Sequence, residues 1–273
     1  MDIQMIAMDL DGTALQHDRC SFSPRLLAAL NEAHERGIAV VPVTGRQFGL
    51  LPPVLREPHP WKFLSILCNG GQIRKLESGI LLHGLEISSE ALGQLLALAE
   101  EFDLPIEFSM DSTLHLTQHS LDQQQPWDNL TFHRDAILAK HGRIVDSLKP
   151  MCAPGLEKVN LLCIPPELRQ EVAKRLNSVA VSAVWASSSS MEITHPDATK
   201  GQGLQRLCSI QGIPMGSVMA LGDSGNDVTM LQQAGLGVAM GNAPDFVKQV
   251  AKVCTDTNDE DGAAKAIEQY VLN

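Results

Sequence analysis

Short apolar runs rich in aliphatic and β-branched residues alternate along this chain with stretches whose apolar positions recur every three to four residues. That alternation predicts strand-helix-strand units built around a mainly parallel sheet. Residues 3 to 8 form the first apolar run and predict a strand. Ser23-Pro24 reads as a helix N-cap followed by proline at the first helical position, and Leu26, Leu27, Leu30 and Ala33 make an apolar stripe that ends at Gly37. "IAVVPVTGR" (38 to 46) predicts a second buried strand ending in Thr44, and "FLSILCNGG" (63 to 71) a third ending in Asn69.

The pattern changes after about residue 84. "ISSEALGQLLALAEEF" is an amphipathic helix, and "PIEFSM" and "TLHLTQ" read as a strand pair. "KVNLLCI", "PELRQEVAKRLN", "VAVSAVWAS" and "MEIT" continue as strand, helix, strand and strand, with serines 187 to 190 as a hairpin turn. Between these groups, residues 118 to 156 hold one candidate helix, Asn129 to His141, flanked by glutamines and prolines. From residue 200 the simple alternation returns: helix 200 to 211, strand 217 to 223, helix 227 to 234, strand 237 to 240, helix 244 to 250, strand 252 to 255 and a C-terminal helix from 261. Residues 1–84 and 193–273 are therefore expected to complete one α/β core, and residues 85–192 to form an inserted α+β domain.

Composition narrows the partners. The 273 residues are 44% hydrophobic and 19% charged, enough core-forming material for one large or two modest domains. Aromatic residues make up 4%, with a single Tyr, and the formal net charge is −11, so neither base stacking nor polyanion binding is favoured and nucleic acid is not an expected partner. No window approaches the ~18 consecutive apolar residues of a membrane span, and Asp2, Asp9 and Asp11 interrupt the N-terminal apolar stretch that an export signal would need. Six scattered cysteines with no C-x-x-C pair suit a reduced, cytoplasmic protein. Cys163 and Arg169 do stand at the C-x5-R spacing of cysteine-dependent phosphatases. The loop between them, Ile-Pro-Pro-Glu-Leu, lacks two amide donors and carries a repelling Glu167, which favours a plain strand end before a helix.

The chemistry is expected where the strands end, because in an open α/β sheet the carboxyl ends of the strands line the ligand crevice. Asp9 and Asp11, one residue apart, fall on the same face of the first strand. Two carboxylates about 4 Å apart repel by roughly 4 kcal/mol at an effective dielectric near 20. "GDSGND" supplies Asp223 and Asp227 after another apolar strand. Either cluster alone is what a turn asks for; two acidic strand ends that converge call for a hard, oxygen-seeking cation, Mg2+ above all. Lys200 falls in the first helical turn of "DATKGQGL", where the helix dipole disfavours a cation unless an anion lies nearby. A helix N-terminus with a lysine, joined by the hydroxyl of Thr44 and the amide of Gly45, makes a place for phosphate.

"DLDGT", "VTGR", "TKGQGL" and "GDSGNDVTML...GLGVAMGNA", in that order, closely resemble the four motifs of the haloacid dehalogenase superfamily, and the closing "DEDGAAKAI" with the long insert resembles its Cof-type, subclass IIB phosphatases. The resemblance implies a Rossmann-like core with a cap, and Mg2+-dependent hydrolysis of small phosphate monoesters, such as sugar phosphates, through an aspartyl-phosphate intermediate. It implies Asp9 as nucleophile, Asp11 as acid and base, and Thr44 and Lys200 as stabilisers of the phosphoryl oxygens. Asp9, the Asp11 backbone carbonyl and Asp223 would hold the metal, with Asn226 and Asp227 supporting. Gly45, Arg46, Asn69 and Asn226 would join Thr44 and Lys200 against the substrate. The second aspartate resembles phosphatases and phosphomutases, so a phosphomutase of the phosphomannomutase type is the alternative reaction; a non-catalytic phosphometabolite sensor would be expected to have lost Asp9 or Asp11. Specificity is expected in the cap, where His115, His119, His133, Arg134, Arg143 and Glu192 are available.

Overall fold

The computed structural model describes residues 2–124, 127, 142–153 and 155–273. In chain order the first elements are β1 (Met5–Met8), α1 (Pro24–Glu35), β2 (Ala39–Pro42), β3 (Leu64–Leu67), β4 (Gln72–Lys75) and β5 (Leu81–Gly84). Next come α2 (Ser89–Phe102), β6 (Ile106–Met110), β7 (Thr113–Leu116), α3 (Gln118–Gln123), β8 (Gly142–Ile144), β9 (Leu156–Leu161), α4 (Arg169–Leu176), β10 (Ser182–Ser187) and β11 (Ser190–Thr194). The chain closes with α5 (Lys200–Gln211), β12 (Val218–Gly222), α6 (Val228–Gln233), β13 (Leu236–Ala239), α7 (Asp245–Lys248), β14 (Val253–Cys254) and α8 (Gly262–Ile267).

Contacts divide the chain into two units, one of residues 1–46, 51–83 and 199–273, the other of residues 47–50 and 84–198. Residues 193–198, expected in the core, thus group with the insert, because Ile193 and Thr194 belong to β11 and pair with the insert's own strands.

The first unit is an α/β fold. Its five-stranded sheet has the order β14-β13-β12-β1-β2, and every pairing in it is parallel. All four residues of β1 are buried, as a central parallel strand covered on both faces requires. Pro42, which has no amide to donate, is tolerated because β2 ends the sheet. Met5, Val41, Ile66, Leu204 and Met230 share one core cluster, which binds the sheet to α5 and α6. The third predicted strand departs from expectation. β3 touches the parallel sheet through the single Val43–Ile66 bridge and pairs antiparallel with β4 instead. The cause is local: Cys68, Asn69 and Gly70 all have positive φ (51°, 54° and 100°), which folds the chain back on itself. The helix predicted at 244–250 is trimmed to Asp245–Lys248, and the strand at 252–255 to Val253–Cys254.

The second unit is a six-stranded sheet of order β10-β11-β9-β6-β7-β8, antiparallel except where β7 meets β8. Leu92, Leu95, Phe108, Val159, Val172 and Ile193 pack α2 and α4 onto one sheet face. The hairpin expected at the serines joins β10 to β11. The helix expected at 129–141 lies outside the described residues. Cys163 is buried with its thiol pushed up to about 12 by burial first and Glu107 second, the reverse of an activated nucleophile, and Arg169 opens α4.

Candidate active site

Four strand-end loops of the first unit carry the polar groups. β1 stops at Asp9, whose amide donates to the Leu221 carbonyl at 3.0 Å and fixes the end of β1 beside β12. The chain then turns through Gly12, at φ +78°, where a Cβ would lie 2.5 Å from Asp223 Oδ2. Glycine is needed twice at this point, for the backbone angle and for the space. The turn brings Thr13 Oγ1 to donate to Asp223 Oδ1 at 3.0 Å.

Lys200 is placed by the start of α5. Thr199 caps the helix, its side chain accepting from the Gln202 amide at 3.2 Å. Gly203 lets the first turns of α5 approach the 68–70 turn, since a Cβ there would lie 2.7 Å from Gly70 Cα. The Lys200 side chain is 1% exposed and its ammonium donates to Asp9 Oδ1 and to Asp227 Oδ1, each at 2.6 Å. Burial would lower its pKa, but the charges of Asp227 and Asp9 override that and raise it. The other Asp227 oxygen accepts from the amides of Asp223 and Ser224, at 3.0 and 2.9 Å, so Asp227 shapes the loop that presents Asp223.

Asp9, Asp223 and Asp227 offer carboxylate oxygens that all lie within 4.8 Å of one another. One ammonium among three carboxylates leaves excess negative charge in a buried place. Desolvation first, then its carboxylate neighbours, hold the Asp9 carboxyl well above its usual range against the pull of Lys200, and burial followed by Asp227 pushes Asp223 up to about 6. Hard oxygen donors, negative excess and a glycine cradle against Asp223 fit a hard divalent cation. Asp11 is not in this acidic group: Arg46 holds its carboxylate in a two-pronged ion pair, Nε to Oδ2 at 2.8 Å and Nη2 to Oδ1 at 2.5 Å.

The remaining predicted residues group around these. Thr44 is 1% exposed, and its hydroxyl accepts from the Arg46 amide at 3.1 Å across the intervening Gly45. The Asn69 amide donates to the Thr44 carbonyl at 3.1 Å, and Asn226 Nδ2 donates to Asn69 Oδ1 at 3.0 Å, joining the ends of β3 and β12. The sequence reading missed Asn242, whose Nδ2 donates to the Gly12 carbonyl at 2.8 Å and reaches Asp223 Oδ2 at 3.4 Å. Its signal was present: it is the one amide side chain in "GLGVAMGNA", three residues past the end of β13.

Among the described residues, the insert candidates do not form one cluster. His119 bonds Asp103 at the surface, His115 is buried with its pKa lowered chiefly by desolvation, and His133 and Arg134 lie outside the described residues. Arg143 lies on β8, and Glu192 pairs with Lys158 of β9. Glu192 stands in register with Asn160, and Asn160 with Glu107, which forms a polar row that single-residue inspection had not picked out.

The model of the haloacid dehalogenase-like hydrolase family matches residues 6–267, and the chain belongs to that family. It is 30% identical to the 5-amino-6-(5-phospho-D-ribitylamino)uracil phosphatase YcsE of Bacillus subtilis over 100% of this chain and 97% of that one. It is 28% identical to the pyridoxal phosphate phosphatase YbhA of Escherichia coli over the full length of both. Among solved structures, the HAD subclass IIB sugar phosphatase BT4131 shares the fold, with a TM-score of 0.84 at 22% identity over 99% of this chain and 100% of that one. The chain is accordingly a Cof-type phosphatase, a phosphoric monoester hydrolase acting on small phosphorylated metabolites. No described helix is long and apolar enough to cross a membrane.

Proposed function

We propose that the protein hydrolyses small phosphate monoesters in two in-line displacements at Asp9, with Mg2+ held by Asp9, Asp223 and the Asp11 carbonyl. The observation that carries this reading is the buried Lys200 ammonium fastened at once to Asp9 Oδ1 and Asp227 Oδ1. It fixes the Asp9 carboxylate and stabilises its ionised form, so that Oδ2 is the oxygen that meets phosphorus. Attack forms the Asp9 acyl phosphate and expels the alkoxide, which takes a proton from Asp11. Asp11 then takes a proton from the water that cleaves the acyl phosphate, so one carboxyl serves both halves. When bound, the cation supplies charge stabilisation for the phosphoryl oxygens and offsets the crowding of carboxylates. Thr44 and Lys200 lie at the strand and helix ends from which phosphoryl oxygens would be bonded, and Asn69 and Asn226 hold that rim together.

The Arg46 pair adds a step. A substrate phosphate dianion competes with Asp11 for the guanidinium, and transfer of Arg46 to phosphate frees the Asp11 carboxylate to take a proton from solvent, which it then gives to the leaving oxygen. A sugar-alcohol phosphate or a phosphorylated heterocycle is the substrate class suggested by the activities named for YcsE and YbhA. The test is phosphate release across a panel of sugar phosphates, pyridoxal phosphate and flavin mononucleotide, with Mg2+ and with chelator. Mg2+-dependent release that disappears in Asp9→Asn is expected. Retained turnover in that variant would remove Asp9 as nucleophile, and transfer of phosphate to a second sugar hydroxyl in place of water would indicate a mutase.

A further inference from the structure

Between β1 and α1, residues 16–21 form a tight loop. The Gln16 amide donates to the Ser21 carbonyl at 3.0 Å, and the Arg19 amide donates to the Gln16 carbonyl at 2.9 Å. Asp18 fastens the turn: its Oδ1 accepts from the amides of Cys20 and Ser21 at 2.9 and 3.0 Å, and its Oδ2 from the Ser21 hydroxyl at 2.6 Å. These bonds hold Arg19 at φ +54°, a left-handed conformation that suits glycine or asparagine and that other residues adopt only where their surroundings impose it. A backbone position that favours glycine thus carries a long cationic side chain.

The loop reaches the candidate active site at this residue. Arg46 Nη2 stands between Asp11 Oδ1, at 2.5 Å, and the Arg19 carbonyl oxygen, at 3.4 Å, so Arg19 and Asp11 flank one guanidinium group. The Asp11 side chain is 41% exposed, so this edge of the site is open to solvent. Arg19 is exposed as well, and no hydrogen bond or ion pair with another described residue engages its own guanidinium.

On the reading above, the transferred phosphoryl group has its partners at Lys200, Thr44 and the cation site, whereas Asp11 gives its proton to the leaving oxygen. A guanidinium rooted beside Asp11 on a side chain this long meets whatever is attached to that oxygen. Its planar fork matches the paired oxygens of a carboxylate or a phosphate. In a chain of net charge −11, with four aspartates in the site itself, an exposed cation here gives a local attraction for anions that the surroundings lack.

We propose that Arg19 is a specificity-determining residue whose guanidinium pairs with a second anionic group, a carboxylate or a second phosphate, carried by the leaving group of the substrate. The claim rests on the phosphatase reading and narrows its substrates to those with two anionic groups.

Two substrate pairs test it, each differing in the second anion: 3-phosphoglycerate against glycerol 3-phosphate, and fructose 1,6-bisphosphate against fructose 1-phosphate. With Mg2+ the anionic member should have the lower KM. Arg19→Gln should raise that KM about fivefold, the size of one solvent-exposed charge pair, and move kcat and the neutral member's KM less than about twofold. Arg19→Lys should recover part of the loss, and high salt should shrink the preference in wild type but not in Arg19→Gln. Calorimetric titration of Asp9→Asn with the same pairs, with and without Arg19→Gln, reads binding apart from turnover and decides alone where wild type releases no phosphate from any of the four. Phosphate release that persists in Asp9→Asn would remove the nucleophile assignment and leave the role of Arg19 intact. A preference within the first pair identifies a carboxylate, and within the second a phosphate. Equal affinity within both pairs, no binding of either anionic member, or a preference unchanged in Arg19→Gln would overturn the proposal.

Discussion

Lys200 is the residue whose place in the chain and place in space explain each other. At the first turn of α5 a cation is disfavoured by roughly 0.3 to 1 kcal/mol, and the two carboxylates at 2.6 Å reverse that penalty. Removing one member of a buried ion pair leaves charges unpaired and typically costs about 3–5 kcal/mol. Lys200→Met should therefore lose about that much stability in denaturant titrations without metal, and lose phosphatase activity as well. Asp223 sets a pH dependence. Its folded pKa, about 6, lies above the ordinary 3.8, so the metal-free fold holds this proton more tightly than the unfolded chain does. This group's contribution to stability is greatest at pH below 3.8 and is lost as pH rises through about 6. A bound divalent cation reverses the preference. The Tm difference between Mg2+ and chelator should be small at low pH and widen as pH passes about 6. Asp9 and Asp223 could be picked out because acidic residues end apolar strands. The Asp11–Arg46 pair could not, because the two residues lie on neighbouring strand ends and only the fold shows that the guanidinium reaches back. Arg46→Ala should raise KM more than it lowers kcat, because phosphate loses a binding partner while Asp11 loses only a restraint.

At the scale of elements, periodicity located α1, α2 and α5 to within a residue or two, because each has an apolar stripe and a side-chain N-cap, at Ser23, Ser88 and Thr199. The reversal after β3 was not legible, because Cys68 and Asn69 adopt left-handed backbone conformations that composition does not demand of them. Asn242 was missed for a related reason: its value lies in bonding the Gly12 carbonyl, 230 residues away. The approach of α5 to the 68–70 turn gives a direct test. Gly203→Ala would place a methyl carbon 2.7 Å from Gly70 Cα and 2.8 Å from Ile66 Cγ2. That overpacking should cost about 1–3 kcal/mol in thermal or denaturant unfolding. Replacing Gly93, whose Cβ would meet nothing within 4 Å inside α2, should instead stabilise by a few tenths to about 1 kcal/mol.

For the whole molecule, the change of pattern near residue 84 falls where the contacts divide the two units, while residues 193–198 group with the second unit. "MEIT" reads as a strand whether it belongs to core or insert, and only its pairing with β9 and β10 assigns it. Each unit has its own apolar cluster, while Asp9, Asp11, Asp223 and Asp227 all lie in the first. Mg2+ should therefore raise hydrogen-exchange protection in β1 and β12 through binding linkage, and leave β6 and β9 of the insert much less changed.

The central claim is that Asp9 becomes covalently phosphorylated during turnover. Quenching the enzyme in acid while it turns over a good substrate from the panel, reducing with borohydride and sequencing the peptides by mass spectrometry tests this most directly. An acyl phosphate on Asp9 should be reduced to homoserine at position 9, with substrate and Mg2+ both required. An unmodified Asp9 peptide from enzyme quenched at full turnover, or homoserine at another aspartate, would contradict the account.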